Sequence, residues 1–214
     1  MNPMKQNTIP YRTGEKALSK KEAEAVILAA KTMEEKLLVM CGFSFGPRRD
    51  DLVAIEIVNI DLENKTLAYS EKKKRGRIKI VPLSDRLHQE LTLYITETIK
   101  VRNDDGTFRT IPKHIQPGQK YLFPSLEGKD RYQNHMSSRT AYNWYNDLCK
   151  IVGIPTPIPI HSMRSTCIKI KEAEGWKPEQ TAELIGDRVS TVMDHYATPT
   201  RAEIAEMMKT RSGI

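Results

Sequence analysis

The sequence predicts a mainly helical α+β domain with one small antiparallel sheet. Apolar residues recur at helical spacing in segments punctuated by Ser, Gly and Pro, the signature of amphipathic helices packed on a shared core. Between Thr66 and Val81 the period changes to alternation about Gly76, which is the pattern of a β-hairpin. The longest apolar run, Leu37 to Cys41, is far too short to span a bilayer. A chain of 214 residues accommodates one generous domain, or one domain with a small appendage.

Residues 1–17 read as a flexible, mildly basic lead-in and 18–214 as the domain. Ser19 and Glu22 form a capping box for a first helix that buries Val26, Ile27 and Ala30, and a second helix runs from about Glu34 to Cys41 and closes at Gly42. Gly46 permits a tight turn, Pro47 suits a first helical position, Arg48 falls at that helix start, and Leu52 and Ile55 face inward. Thr66 to Ser70 and Arg77 to Val81 form the hairpin strands, ended by Pro82. Ser84 caps a long helix with Leu87, Leu91 and Ile95 on its face, and the segment 103–119 is a surface loop or small hairpin. Ser137 or Ser138 starts a helix burying Ala141, Trp144, Tyr145, Leu148 and Val152, its aromatics read as core rather than stacking platforms.

Pro155, Pro157 and Pro159 hold the next segment extended, because each fixes φ and disfavours helix in the residue before it. A helix therefore starts at about His161 or Ser162, with Ser162 as the expected N-cap and Met163, Cys167 and Ile170 as its apolar stripe. His161 and Arg164 then share its first turn, where unpaired N–H groups and the helix dipole attract anions. Gly175 ends this helix, Pro178 opens the next, Gly186 ends that one, and a short helix, VSTVMDHY, presents Tyr196. Thr200 and Glu203 cap a last helix carrying Ile204, Met207 and Met208, whose apolar face folds back or docks on a second copy.

Composition narrows the function. The terminus MNPMKQNTIPYRT has no apolar signal core, which argues against secretion. The 3 cysteines, Cys41, Cys149 and Cys167, are an odd set in apolar contexts, so they read as buried thiols in a reducing compartment, and no Cys or His spacing suggests zinc or another metal. A net charge of +7 invites a polyanion, and Lys72, Lys73, Lys74, Arg75, Arg77 and Lys79 crowd the hairpin, with Arg48 and Arg49 paired before it.

Taken in order, these motifs resemble the tyrosine recombinase (phage integrase) family. Gly46-x-Arg48 with Asp51-Leu52 is similar to its first box, with Asp for the usual Glu, and His161-x-x-Arg164, the segment Leu184 to Asp187, and a Tyr nine residues later resemble its second. The family's hairpin lysine lies a few residues before a Val-Pro-Leu such as Val81-Pro82-Leu83, which makes Lys74 the best match and Lys72 the second.

The resemblance implies the catalytic-domain fold of DNA breaking-rejoining enzymes. It also implies metal-free, cofactor-free strand cleavage and rejoining through a 3′-phosphotyrosyl intermediate. Arg48 and Arg164 would grip the scissile phosphate, Tyr196 attack, His161 help remove its proton and Lys74 act as general acid, with Asp51 bracing Arg48 and Arg49, Lys72, Lys73, Arg75 and Arg77 on DNA.

Asp187, at a catalytic position, departs from the family's usual His or Trp; its carboxylate repels a phosphodiester by on the order of 1 to 4 kcal/mol, so it is protonated, turned toward Arg164 or another cation, or part of a weakened site of reduced activity, with Arg188 or His195 as alternative donors. The family's usual N-terminal core-binding domain is expected to be absent. Double-stranded DNA, self-association on DNA through residues 200–210, no membrane and a cytoplasmic setting in a prokaryote, virus or plasmid complete the expectation. A DNA-binding relative without cleavage, a type IB topoisomerase-like enzyme and a helical scaffold are its rivals.

Overall fold

The computed structural model describes residues 16–211, so most of the expected lead-in lies outside the described residues. Nine helices and five strands follow in chain order among them: α1 Lys20–Leu28, α2 Met33–Phe45, α3 Arg49–Val53, β1 Ile60–Asp61, β2 Thr66–Glu71, β3 Arg77–Pro82, α4 Asp85–Thr96, β4 Thr98–Arg102, β5 Phe108–Pro112, α5 Ser138–Ile151, α6 Ser162–Ala173, α7 Pro178–Ile185, α8 Val189–Tyr196 and α9 Arg201–Arg211. The expected α+β class is what the chain adopts, with the short strands gathered in a β1-β2-β3 antiparallel sheet and a separate β4-β5 hairpin inside the segment read as a loop or small hairpin.

Helix α2 is the centre of the molecule. Leu37, Leu38, Val39 and Cys41 are fully buried, so apolar residues ring the helix instead of marking one face, and it packs on α1, α4, α5 and α6. It does not close at Gly42. A Cβ there would come 2.5 Å from Met163 Sδ and 3.1 Å from Met163 Cβ, so Gly42 is the point at which α6 approaches the helix interior. The cap is Gly46, at φ 56°, and a Cβ on it would press on Ile185, Cys167 and Arg164.

Two further helix ends and one buried face differ from the sequence expectation. Pro47 lies outside α3, whose N-cap is Arg48 in extended conformation. The N-cap of α6 is His161 without a side-chain cap bond, because the Ser162 hydroxyl is buried and 2.9 Å from the Tyr145 hydroxyl. Trp144 and Val152 are only partly buried, and the interior positions of α5 are Ala141, Tyr145, Asn146, Leu148 and Cys149. The proline-rich approach is clamped by Asn146, whose amide donates to the Ile158 carbonyl at 2.9 Å and accepts from the Ile158 N–H at 2.8 Å.

The three cysteines are buried free thiols. No helix among the described residues is long and apolar enough to cross a membrane. On α9, Ile204, Met207 and Met208 are 46, 44 and 65% exposed.

Candidate active site

Two loops and one hairpin converge on the start of α6. Arg164, in the first turn of α6, is 3% exposed, and its guanidinium is held from three sides. Nη1 donates to the carbonyls of Gly46 (2.6 Å) and Ile185 (2.8 Å), and Nη2 to Asp187 Oδ2 at 2.7 Å. Those acceptors are the orphan carbonyl at the end of α2, the last turn of α7 and the turn after it, so one side chain ties three helix ends together. Gly46 is also two residues before Arg48, which fixes the two arginines near one another.

Arg48 is half-buried, and its Nη1 donates to Glu71 Oε1 at 3.0 Å. The carboxylate against it is therefore Glu71, not Asp51. Asp51 is 2% exposed and accepts the Lys72 backbone N–H at 2.9 Å through Oδ1, while Oδ2 has no hydrogen-bond partner. Burial outweighs that bond and the Arg48 charge, so the Asp51 carboxyl titrates above its usual range.

Lys74 bends inward from the hairpin turn, donating to the Gly186 carbonyl at 2.7 Å and lying 3.5 Å from Glu71 Oε2. Lys72, Lys73, Arg75 and Arg77 are exposed on the same turn.

Asp187 is the anion paired with Arg164, at 2.7 Å. Burial raises its carboxyl, but the Arg164 hydrogen bond, the Arg188 N–H and the charges of Arg164 and Arg48 outweigh this and hold it below the ordinary aspartate range. Asp187 is therefore an ionised internal partner of Arg164.

His161 keeps part of its surface exposed at the mouth of the cluster. Partial burial, then the positive charges of Arg164, Lys73 and Arg48, pull its pKa below 6.5, so the ring is neutral at neutral pH.

Tyr196 is the expected residue that the structure does not bring to this cluster. Its hydroxyl donates to the Trp176 carbonyl at 3.0 Å and lies 3.0 Å from the Thr181 hydroxyl, which must then be the donor to it. Its ring packs with the small core formed by Cys167, Ile168, Ala182, Ile185 and Val192. The preceding residue, His195, faces inward instead: it is 2% exposed, and its Nδ1 is buried without a hydrogen-bond partner. Burial, then His161 and Arg164, push the His195 pKa down to about 4.

Sequence reading missed Glu71 and a groove of ≈ 820 Å³ lined by Arg48, Arg49, Lys73, Arg139, Tyr142 and His161. Arg139 lies in the first turn of α5 and over the Tyr142 ring at 5.2 Å. A single carboxylate heading a lysine run was the signal for Glu71; nothing local joins Arg139 to Arg48, 91 positions earlier (139 − 48).

The family model described as "Phage integrase family" matches residues 16–203. Among solved structures, the chain is similar to the XerA recombinase at 19% identity and TM-score 0.64, covering 100% of this chain and 68% of that one. It is similar to the Tn1549 transposon integrase in complex with a circular intermediate DNA at 15% identity and TM-score 0.65, covering 97% and 68%. A lambda integrase dimer bound to a COC′ core site gives 15% identity and TM-score 0.59, covering 91% and 64%. At these identities the likeness establishes the fold. No curated protein matches.

Proposed function

Because this chain belongs to the phage integrase family, we propose that it cleaves and rejoins DNA strands at specific sites through its own tyrosine. The observation that carries the reading is the gathering of Arg48, Arg164, Lys74 and His161 from distant parts of the chain: Arg48 and His161 line the groove, the charges of Arg164 and Arg48 act on His161, and Arg48 and Lys74 share Glu71. Arg48 and Arg164 bind the non-bridging oxygens of one phosphodiester, since guanidinium stays charged and matches phosphate geometry. The Tyr196 oxygen attacks phosphorus, a P–O bond forms to the 3′-phosphate, and the bond to the 5′-oxygen breaks. Neutral His161 accepts the phenol proton, and Lys74 gives a proton to the departing 5′-oxygen. The phosphotyrosyl ester then returns to a 5′-hydroxyl by the reverse step, without metal. Tyr196 must first leave the Trp176 carbonyl and the Thr181 hydroxyl.

Arg49, Lys73 and Arg139 extend the groove as a phosphate track, and the exposed hairpin cations flank it. Double-stranded DNA is the partner, and the exposed apolar residues of α9 support self-association of the chain on it.

A second reading, a DNA-binding protein of this fold that does not cleave, is favoured by the Arg164–Asp187 ion pair and by the direction of Tyr196. One experiment separates them. A pool of nicked suicide duplexes with a randomised core, incubated with the protein and run on a denaturing gel, gives a covalent protein–DNA band that Tyr196→Phe abolishes. Duplex binding with no covalent band supports the second reading.

A further inference from the structure

We infer that Glu71 is a positioning residue of this site: its buried carboxylate sets the placement of both Arg48 and Lys74. The inference rests on the cleavage reading above, and it follows from the strand period. In β2 the inward positions are Leu67, Tyr69 and Glu71, so alternation drives the last of the row, a carboxylate, into the interior at 1% exposure. A buried carboxylate persists only when cations and donors surround it. Oε1 takes Arg48 Nη1 at 3.0 Å, and Oε2, which has no hydrogen bond, lies 3.5 Å from Lys74 Nζ. Lys79, inward on β3, is held by the Glu183 carbonyl, and its pKa is lowered first by burial, against the opposing charges of Glu183 and Glu71.

The α7–α8 turn is built around this carboxylate. Gly186 adopts φ 70°, and a Cβ there would stand 2.8 Å from Glu71 Oε1 and 3.2 Å from Lys79 Nζ. The Gly186 carbonyl in turn receives Lys74. Glu71 thus joins the hairpin turn, the α3 start and the turn bearing Asp187. A guanidinium has five N–H donors, so Arg48 can keep Glu71 on one nitrogen and still address a phosphate with others. Glu71 reaches no substrate itself in this arrangement; it acts through the two cations.

A role through placement predicts a split that a role in folding does not. Glu71→Gln removes the charge with little change of shape. It leaves the groove more positive, so duplex affinity, measured by fluorescence anisotropy on the same randomised duplexes, stays equal or rises. Cleavage at saturating DNA, read as the rate of the covalent band, falls on the order of 10- to 100-fold, the usual scale for displaced catalytic groups. Glu71→Asp, which keeps the carboxylate, recovers part of that rate. Glu71→Gln cleaving at the wild-type rate overturns the inference, as does parallel loss of affinity, cleavage and melting temperature, or Glu71→Asp no faster than Glu71→Gln. A wild-type protein that forms no covalent band overturns the cleavage reading and this inference with it; a wild-type band beside an undiminished Glu71→Gln band overturns only this inference.

Discussion

His195 makes the protein sensitive to mild acid in a way that can be isolated. The imidazole is 2% exposed, its Nδ1 has no hydrogen-bond partner, and burial followed by the nearby His161 and Arg164 lowers its pKa from 6.5 to about 4. Asp187 and Asp194 oppose the shift without cancelling it. The folded chain therefore holds this proton more weakly than the unfolded chain. Between the two pKa values the unfolded state binds more protons, so the stability present above pH 6.5 is lost as pH falls toward 4. A shift of this size corresponds to about 3 kcal/mol in full, of which about 2 kcal/mol is lost between pH 7 and pH 5. His161, shifted in the same direction, adds to the same limb. Denaturant unfolding at pH 7 and pH 5 of the wild type and of His195→Gln, which cannot titrate, measures the His195 share by difference. The expected result is a smaller acid loss in the variant, by about 2 kcal/mol. An equal loss in both proteins would refute the argument that this ring is held neutral by burial.

Three further outcomes follow from the site. Asp187→His removes the anion paired with Arg164, and because that pairing already screens the carboxylate, the gain belongs at the low end of the repulsion range: about 1 kcal/mol, roughly fivefold faster formation of the covalent band; an unchanged rate refutes it. Arg164→Met keeps the volume but strands two helix-end carbonyls and Asp187, which should lower unfolding free energy by about 3 kcal/mol in denaturant titration. If Arg49, Lys73 and Arg139 each neutralise a phosphate, replacing any one by Ala reduces the slope of log K against log salt by about 1, whereas Arg109→Ala, on the β4-β5 hairpin away from the groove, leaves it unchanged.

Local chemistry marked much of this fold, and long-range approach decided the rest. The Ser19–Glu22 and Thr200–Glu203 boxes, the hairpin about Gly76 and the Gly186 stop are written in neighbours a few positions apart, and each forms as the spacing dictates. Gly42 reads identically to a helix stop because a missing side chain has the same local appearance whether it ends a helix or admits Met163 from a distant one. The arginines and Lys74 were identifiable by type and order, but which carboxylate meets Arg48 depends on strand register, and register placed Glu71 there rather than Asp51. Tyr196 illustrates the limit most clearly. On a helix as short as α8, consecutive residues point about 100° apart, so His195 and Tyr196 cannot both face the arginines. Periodicity permits either one, and the choice is made by the Trp176 carbonyl and the Thr181 hydroxyl, which hold the phenol.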